Sequence, residues 1–304
     1  MPLHGPVGEL DRPTLDAIAA LAVDLADPTA HTPLGDAAWR ARATAGDGTF
    51  AAAWATDDDG RIVAYAQRAA DPAAGHHRLA FLLAPDHDAR LVDLGAPLLN
   101  RLLRDHGDEV RWWVSHPDAR HDEIAARTGL RPFRRVHQMR VDLPLPTDVA
   151  TAEPACTVRP FRPGQDEDAL LAVNRRAFAA HPEQGRMTRE QLDARIAEDW
   201  FDPEGCLLHD DPDGTLLGFC WTKTFTDTDP PLGEIHVICV DPAAAGQRLG
   251  GALTVAGLDH LAHRGLRDGM LFVEADNDRA IRLYERLGFR IVRTDAAYRG
   301  RGRD

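Results

Sequence analysis

The sequence lacks the features that mark several large classes of protein. It has no basic excess, since 35 Lys and Arg stand against 48 Asp and Glu and the formal net charge is −13. Non-specific nucleic-acid binding needs a basic face, so we expect no nucleic-acid partner. No apolar run approaches the roughly 20 residues of a membrane helix, and the first ten residues show no signal-peptide pattern. We therefore expect a cytoplasmic protein with no membrane partner.

Cysteine is scarce, and its spacing indicates no metal or redox site. The four cysteines form no C-x-x-C pair, and the 14 histidines show no H-E-x-x-H pattern. We therefore expect reduced cysteines that serve in packing, and no bound metal. The length of 304 residues suits two domains of about 150 residues each. A monomer is expected.

What the sequence does contain is a strand, a glycine-containing loop and a helix within residues 233–253, GEIHVICVDPAAAGQRLGGAL. The apolar run 235–240 is typical of a strand that is covered on both faces, and Asp241-Pro242 ends it. Small residues and three glycines then precede a helical run. Backbone N–H groups at such a helix N-terminus can bind a phosphate or a pyrophosphate.

A second segment, residues 270–290, reads MLFVEADNDRAIRLYERLGFR. An apolar strand is followed by a helix, and Gly288 stands where a helix C-terminus needs a positive φ angle. Together the two segments resemble the GCN5-related N-acetyltransferase (GNAT) superfamily. The motifs that carry the resemblance are V-D-P, the glycine-containing loop and N-x-x-A-x-x-x-Y-x-x-x-G-F. The resemblance implies an α/β (α+β) fold with a central mixed sheet flanked by helices, and acetyl-CoA as the cosubstrate.

The resemblance also implies which residues contact the coenzyme. The loop departs from the family's Q/R-x-x-G-x-G/A pattern, because Ala245 stands at its first position and Arg248 at its middle glycine. Arg248 either clashes with a phosphate or adds a guanidinium group to it. The implied coenzyme-binding residues are Ile238, Cys239, Val240, Ala245, Gly246, Gln247, Arg248, Leu249, Gly250, Gly251 and Asn277.

Acetyl transfer to an amine needs a base, an acid and a group that polarises the thioester carbonyl. Glu234 is the candidate general base, and His236, two positions along the strand, is a rival with a suitable pKa. Tyr284 is the candidate general acid, because a phenol with a pKa of about 10 is protonated at neutral pH. The backbone N–H of Cys239 or Val240 would polarise the carbonyl.

The first half of the chain repeats the order of elements of the second half. Pro85 matches Pro242 at an offset of 157 residues, and Gly129 matches Gly288 at 159. We therefore predict two tandem GNAT-fold domains, at residues 1–143 and 156–304, joined by a proline-rich linker at 144–155. Ala125 stands in place of Tyr284 and His77 in place of Glu234, so the first domain is predicted to be catalytically silent.

Three further pieces, HPEQG at 181–185, GFCWTK at 218–223 and GE at 233–234, resemble a tandem group within this superfamily. Its members acetylate the cysteinyl amine of an aminated pseudodisaccharide, cysteinyl-glucosaminyl-inositol. Two alternatives stay open: another small amine or a peptide N-terminus as acceptor, or a non-catalytic CoA-binding protein. The resemblance implies a substrate site formed by Asp36, Glu183, Lys223, Glu234 and Tyr284.

Overall fold

A computed structural model of the protein describes residues 1–23, 48–71, 75–104, 106–179, 185, 187–226 and 228–301. The predicted site residues Asp36 and Glu183 lie outside these ranges. The chain divides into two compact units, the first made of Met1–Val136 with Arg293–Asp304 and the second of His137–Val292. No helix among the described residues is both long and apolar enough to cross a membrane.

The elements of the first unit are β1 (Leu3–Val7), α1 (Arg12–Val23), β2 (Phe50–Thr56), β3 (Ile62–Asp71), β4 (His76–Leu83), α2 (Leu91–Leu103), β5 (Glu109–Ser115), α3 (Ala119–Thr128) and most of β12 (Arg290–Arg301). The strands form a mixed sheet in the order β1-β2-β3-β4-β5-β12, in which only the β4–β5 pair is parallel. The core of this unit gathers apolar side chains from these strands and from the buried faces of the three helices.

The elements of the second unit are the later part of β6 (Arg131–Asp142), α4 (Thr147–Ala150), β7 (Arg159–Pro160), α5 (Glu167–Ala177), α6 (Arg189–Ile196), β8 (Cys206–Asp210), β9 (Leu216–Phe225), β10 (Leu232–Val240), α7 (Leu249–His263), β11 (Asp268–Glu274) and α8 (Asp278–Arg286). The strands form a sheet in the order β6-β11-β10-β9-β8-β7, in which β10 and β11 run parallel. Two buried apolar clusters make up the core of this unit.

The boundaries between the two units differ from the predicted boundaries at residues 143 and 156. Strand β12 passes into the first unit, where residues 295–301 pair with β5. The segment 144–155, predicted as a linker, lies within the second unit, where Leu145 is buried. Its few apolar side chains pack into that unit's core, which the proline content alone does not indicate.

Helix α7 packs closely on the sheet at Gly257. A Cβ atom at this position would lie 2.4 Å from Cys220 Sγ and 2.8 Å from Ile235 Cδ1. We expect Gly257→Ala to lower the free energy of unfolding by about 1–3 kcal/mol, because overpacking forces neighbouring atoms apart. Urea denaturation measures the change. Gly107→Ala is the matched control, since a Cβ there meets no atom within 4 Å; an equal loss in both variants would contradict the packing argument.

Candidate active site

Strands β10 and β11 pair along only part of their length. Their parallel register runs from Gly233 opposite Gly269 to Ile235 opposite Leu271, although β10 continues to Val240 and β11 to Glu274. Over the same stretch β10 stays paired with β9. One edge of β10 is therefore left without a strand partner among the described residues, immediately after Glu234 and Ile235.

The direction of the backbone groups decides which N–H can face this edge. The N–H of Asp241 donates to Leu217 O on the β9 side at 2.8 Å. Because N–H groups alternate along an antiparallel strand, the N–H of Cys239 also points to β9 and that of Val240 points away from it. The sequence offered the N–H of Cys239 or that of Val240 to polarise the thioester carbonyl. Only the N–H of Val240 faces the unpaired edge.

Glu234 and His236 lie together at the end of the β10–β11 pairing. A register shift between Ile235 and Val237 places His236 at a bulge, a feature that often re-aims a side chain beside an active site. Nδ1 of His236 is 3.4 Å from Oε2 of the buried Glu234, a contact without hydrogen-bond alignment. The imidazole also packs against the rings of Trp200 and Trp221, with centroids 5.2 and 5.9 Å away.

Lys223 is the single lysine of the chain, and it lies directly opposite Glu234 in the β9–β10 ladder. Residues opposite each other in a ladder present their side chains on the same face. The Lys223 ammonium lies 4.6 Å from the ring centroid of Trp200 and 4.8 Å from that of Phe225. Two rings therefore hold a cation beside the candidate base.

The loop after β10 adopts the backbone conformation that its glycine pattern requires. Gly246 has φ +86° and Arg248 has φ +57°, the left-handed region that non-glycine residues rarely occupy. The family pattern has a glycine where Arg248 stands, and the structure gives the physical reason, because this position needs a positive φ. An arginine here costs about 1 kcal/mol of backbone strain. Such strain is common in segments that bind ligands.

This loop and the start of α7 form one side of a cavity of about 460 Å³. The other side is the polar face of α8, where Arg279, Arg282 and Arg286 follow each other at helical spacing. With Arg248, four guanidinium groups line the cavity, a charge suited to an anion at a helix N-terminus. These three α8 arginines were not predicted as site residues, although their spacing of three and four residues places them on one face of the helix.

The cavity brings together many of the predicted coenzyme contacts. Asn277 lines it and also begins helix α8, because its Oδ1 accepts a hydrogen bond from the N–H of Ala280 at 3.1 Å. Ile238, Cys239 and Gln247 do not line it. The predicted contacts that do are Val240, Ala245, Gly246, Arg248, Leu249, Gly250, Gly251 and Asn277.

Tyr284 lies on the buried side of α8, next to the cavity-lining Leu283. It belongs to the same apolar cluster as Ile235 of β10, and its ring packs edge-on against Phe289. Burial raises the pKa of the Tyr284 phenol well above its ordinary value. The phenol is therefore protonated and able to donate across the whole working pH range.

Cys239 is not suited to act as a nucleophile in this site. Cys239 is buried, and burial raises the pKa of its thiol. A thiol that stays protonated is a poor nucleophile. The arrangement therefore favours direct attack of an amine on the thioester over an acyl-cysteine intermediate.

The described residues contain one group of three possible metal ligands, His77, His106 and Asp108, in the first unit. A nitrogen of the Arg68 guanidinium lies 2.9 Å from His106 Nε2. Its positive charge opposes a cation at this place. The expectation that the protein binds no metal stays a prediction.

The corresponding place in the first unit differs in charge. Strands β4 and β5 also pair over only three positions, from His77 opposite Val110 to Leu79 opposite Trp112. The later residues of both strands line a cavity of about 280 Å³. Its lining is largely apolar, with Asp88 and His121 as the charged or titratable members. Asp88 itself is paired with Arg120. The cluster of arginines is found only in the cavity of the second unit, as far as the described residues show.

Comparison with known proteins places these features in a family. The model of the acetyltransferase (GNAT) family matches residues 171–289. Two curated relatives are called "Mycothiol acetyltransferase". The one from Acidothermus cellulolyticus is 38% identical and covers 96% of this chain and 93% of its own length. The one from Acidimicrobium ferrooxidans is 39% identical and covers 92% of both chains.

Solved structures agree on the fold. A GCN5-related N-acetyltransferase from Sphaerobacter thermophilus superposes with a TM-score of 0.67 at 23% identity, over 100% of this chain and 96% of its own. A tandem GNAT protein from the clavulanic acid biosynthesis pathway gives 0.66 at 18% identity, over 100% and 99%. The predicted fold class, two tandem GNAT folds of mixed sheet and helices, is confirmed.

Proposed function

This chain belongs to the mycothiol acetyltransferases, a family of GNAT enzymes, and we propose that it transfers acetyl from acetyl-CoA to the cysteinyl amine of cysteinyl-glucosaminyl-inositol. The family prediction made from the two sequence segments is confirmed, and so is the prediction of an acetyltransferase. One observation carries the assignment of the reaction to the second unit: Glu234 lies where β10 and β11 part, in the unit with the arginine-lined cavity. The acetyl-transfer site is therefore assigned to this unit alone.

The coenzyme binds between the loop after β10, the start of α7 and the polar face of α8. Backbone N–H groups at the start of α7 and the guanidinium groups of Arg248, Arg279 and Arg282 would hold the pyrophosphate and the phosphorylated ribose. Small residues at Gly246 and Gly250 let the backbone approach the phosphate oxygens. The thioester then reaches the unpaired edge of β10, where the N–H of Val240 polarises its carbonyl.

The reaction follows from these positions. The neutral cysteinyl amine attacks the thioester carbon and forms the C–N bond, and Glu234 accepts the proton that the nitrogen gives up. The tetrahedral intermediate then collapses, the C–S bond breaks, and Tyr284 donates its proton to the leaving thiolate. His236 lies beside this carboxylate, with its Nδ1 3.4 Å from Oε2.

A panel of acceptors tests the substrate. We expect kcat/KM for cysteinyl-glucosaminyl-inositol to exceed that for free cysteine, glucosaminyl-inositol or a cysteine-initiated dipeptide by at least about 100-fold, because each truncated acceptor leaves polar groups of the site unpaired. Mass spectrometry of each mixture gives the product. Equal rates for the dipeptide and the pseudodisaccharide would replace the proposed acceptor by a peptide N-terminus.

Lys223 gives a second prediction for the acceptor. Its ammonium can donate three hydrogen bonds to sugar or inositol oxygens. We expect Lys223→Met to raise the KM for the acceptor about tenfold, since a hydrogen bond to a charged group contributes about 1.5 kcal/mol or more. The KM for acetyl-CoA should stay within about twofold. Steady-state kinetics with each substrate varied in turn measures both constants, and a rise confined to acetyl-CoA would contradict this role.

The single lysine also allows a chemical control. Reductive methylation modifies amines, so Lys223 and the N-terminus are the only targets in this sequence. We expect the saturating N-acetylated product, which has no free amine to consume the reagent, to slow the methylation of Lys223 and to leave that of the N-terminus unchanged, and peptide mapping separates the two. Equal rates at Lys223 with and without this product would remove Lys223 from the acceptor site.

A further inference from the structure

One acidic side chain lines the cavity of four arginines, and the proposed function gives it no role. Glu153 comes from the segment that precedes β7, just after the short helix α4. Its side chain is 3% exposed. A buried carboxylate is unfavourable unless its charge is paired, so its partners and its position need a physical explanation.

The carboxylate is only partly satisfied. Oε1 lies 3.0 Å from Nη2 of Arg248 and 3.8 Å from Nη2 of Arg286. Oε2 is buried and has no hydrogen-bond partner among the described residues. The same Nη2 of Arg248 also donates to the carbonyl oxygen of Ala152 at 2.9 Å. One guanidinium group of the strained loop is thus tied to the 152–153 segment by two contacts.

The position of the unsatisfied oxygen is equally specific. A Cβ atom built at Gly251 would lie 2.3 Å from Oε2 of Glu153, so this oxygen rests directly on the first turn of α7. The first N–H groups of a helix have no partner within the helix, and their partial positive charge attracts anions. Glu153 therefore places a carboxylate where the backbone and the arginines offer a site for phosphate.

We propose that Glu153 competes with the pyrophosphate of acetyl-CoA for Arg248, Arg286 and the start of α7. The inference rests on the proposed function, because it takes this cavity as the coenzyme site. When the coenzyme binds, the two guanidinium groups exchange the carboxylate for phosphate oxygens, and the 152–153 segment is released from Arg248. Glu153 thereby lowers the affinity for acetyl-CoA and prevents tight retention of the product CoA.

Direct binding tests the proposal without any turnover. Isothermal titration of the full chain with acetyl-CoA should give a dissociation constant that is roughly 3- to 10-fold lower for Glu153→Gln than for the unmodified protein, the size of one partly screened charge interaction. Glu153→Asp keeps the charge and should stay within about twofold of the unmodified protein. Acetyl-pantetheine, which lacks the pyrophosphate, should bind all three proteins equally.

The outcomes separate the two claims. Weaker or equal binding of acetyl-CoA by Glu153→Gln would overturn the competition and make Glu153 a residue that positions the arginines. An equal gain for acetyl-pantetheine would also overturn it, because the effect would then not involve the pyrophosphate. If the unmodified protein bound no acetyl-CoA at all, the proposed function itself would fail. A parallel decrease in the inhibition constant of inorganic pyrophosphate against acetyl-CoA would support the exchange.

Discussion

Replacing Glu234 by glutamine is expected to lower kcat for acetyl transfer by about 10²- to 10⁴-fold, the contribution typical of a general base. Glutamine keeps the size of the side chain but replaces one carboxylate oxygen by an NH2 donor, and it cannot accept the amine proton. Glu234 is buried at the end of the β10–β11 pairing, so the substitution changes little of the protein surface that is exposed to solvent. Steady-state kinetics at saturating acetyl-CoA and acceptor measures the loss.

His236 provides the matched control, since it is the other titratable group on this stretch of strand. We expect His236→Gln to reduce kcat by less than about tenfold, because the imidazole packs against the rings of Trp200 and Trp221 and is not assigned the amine proton. Steady-state kinetics of Glu234→Gln and His236→Gln under identical conditions compares the two losses. A larger loss of kcat in His236→Gln than in Glu234→Gln would assign the base to His236.

Replacing Tyr284 by phenylalanine is expected to lower kcat by about 10²- to 10³-fold through loss of the general acid. Burial raises the pKa of the phenol, so its proton is held at all pH values at which the protein is assayed. A loss of rate below about pH 10 therefore cannot come from ionisation of Tyr284. The ring packing against Phe289 is kept in the variant. Its free energy of unfolding should therefore change by less than about 1 kcal/mol.

The leaving group offers a sharper test of this role. An acetyl thioester of an aryl thiol releases a thiolate that needs no proton, so the penalty of Tyr284→Phe should shrink to within about threefold with that donor. With acetyl-CoA the full loss should remain. An equal loss with both donors would show that Tyr284 acts through packing, because its missing hydroxyl would then matter independently of the leaving group.

The sequence predicted those parts of the site that depend on local patterns. The apolar run before Asp241-Pro242, the helix after the second apolar strand and the positive φ of Gly288 follow from neighbours within a few residues, and the structure contains all three. The repeat is also present in the structure, because β4 pairs in parallel with β5, and β10 with β11, in the corresponding part of each half. Local chemistry of this kind is readable without knowledge of distant contacts.

The parts that escaped prediction depend on which distant segments meet. Pattern alone shows that residues 290–301 can form a strand, but it cannot show that residues 295–301 pair with β5. Glu153 gives no signal in the sequence, since its role arises only from contact with a loop 95 residues further on, at Arg248. Asp36 and Glu183 lie outside the described residues and stay predictions.

The most direct test of the proposed function is acetyl transfer from ¹³C-labelled acetyl-CoA to cysteinyl-glucosaminyl-inositol, followed by tandem mass spectrometry and thiol titration. We expect one labelled acetyl group on the cysteinyl nitrogen, a free thiol in the product, and one CoA released for each acetyl transferred. Binding of acetyl-CoA without any labelled product, or label found on sulfur while the amine stays free, would contradict it.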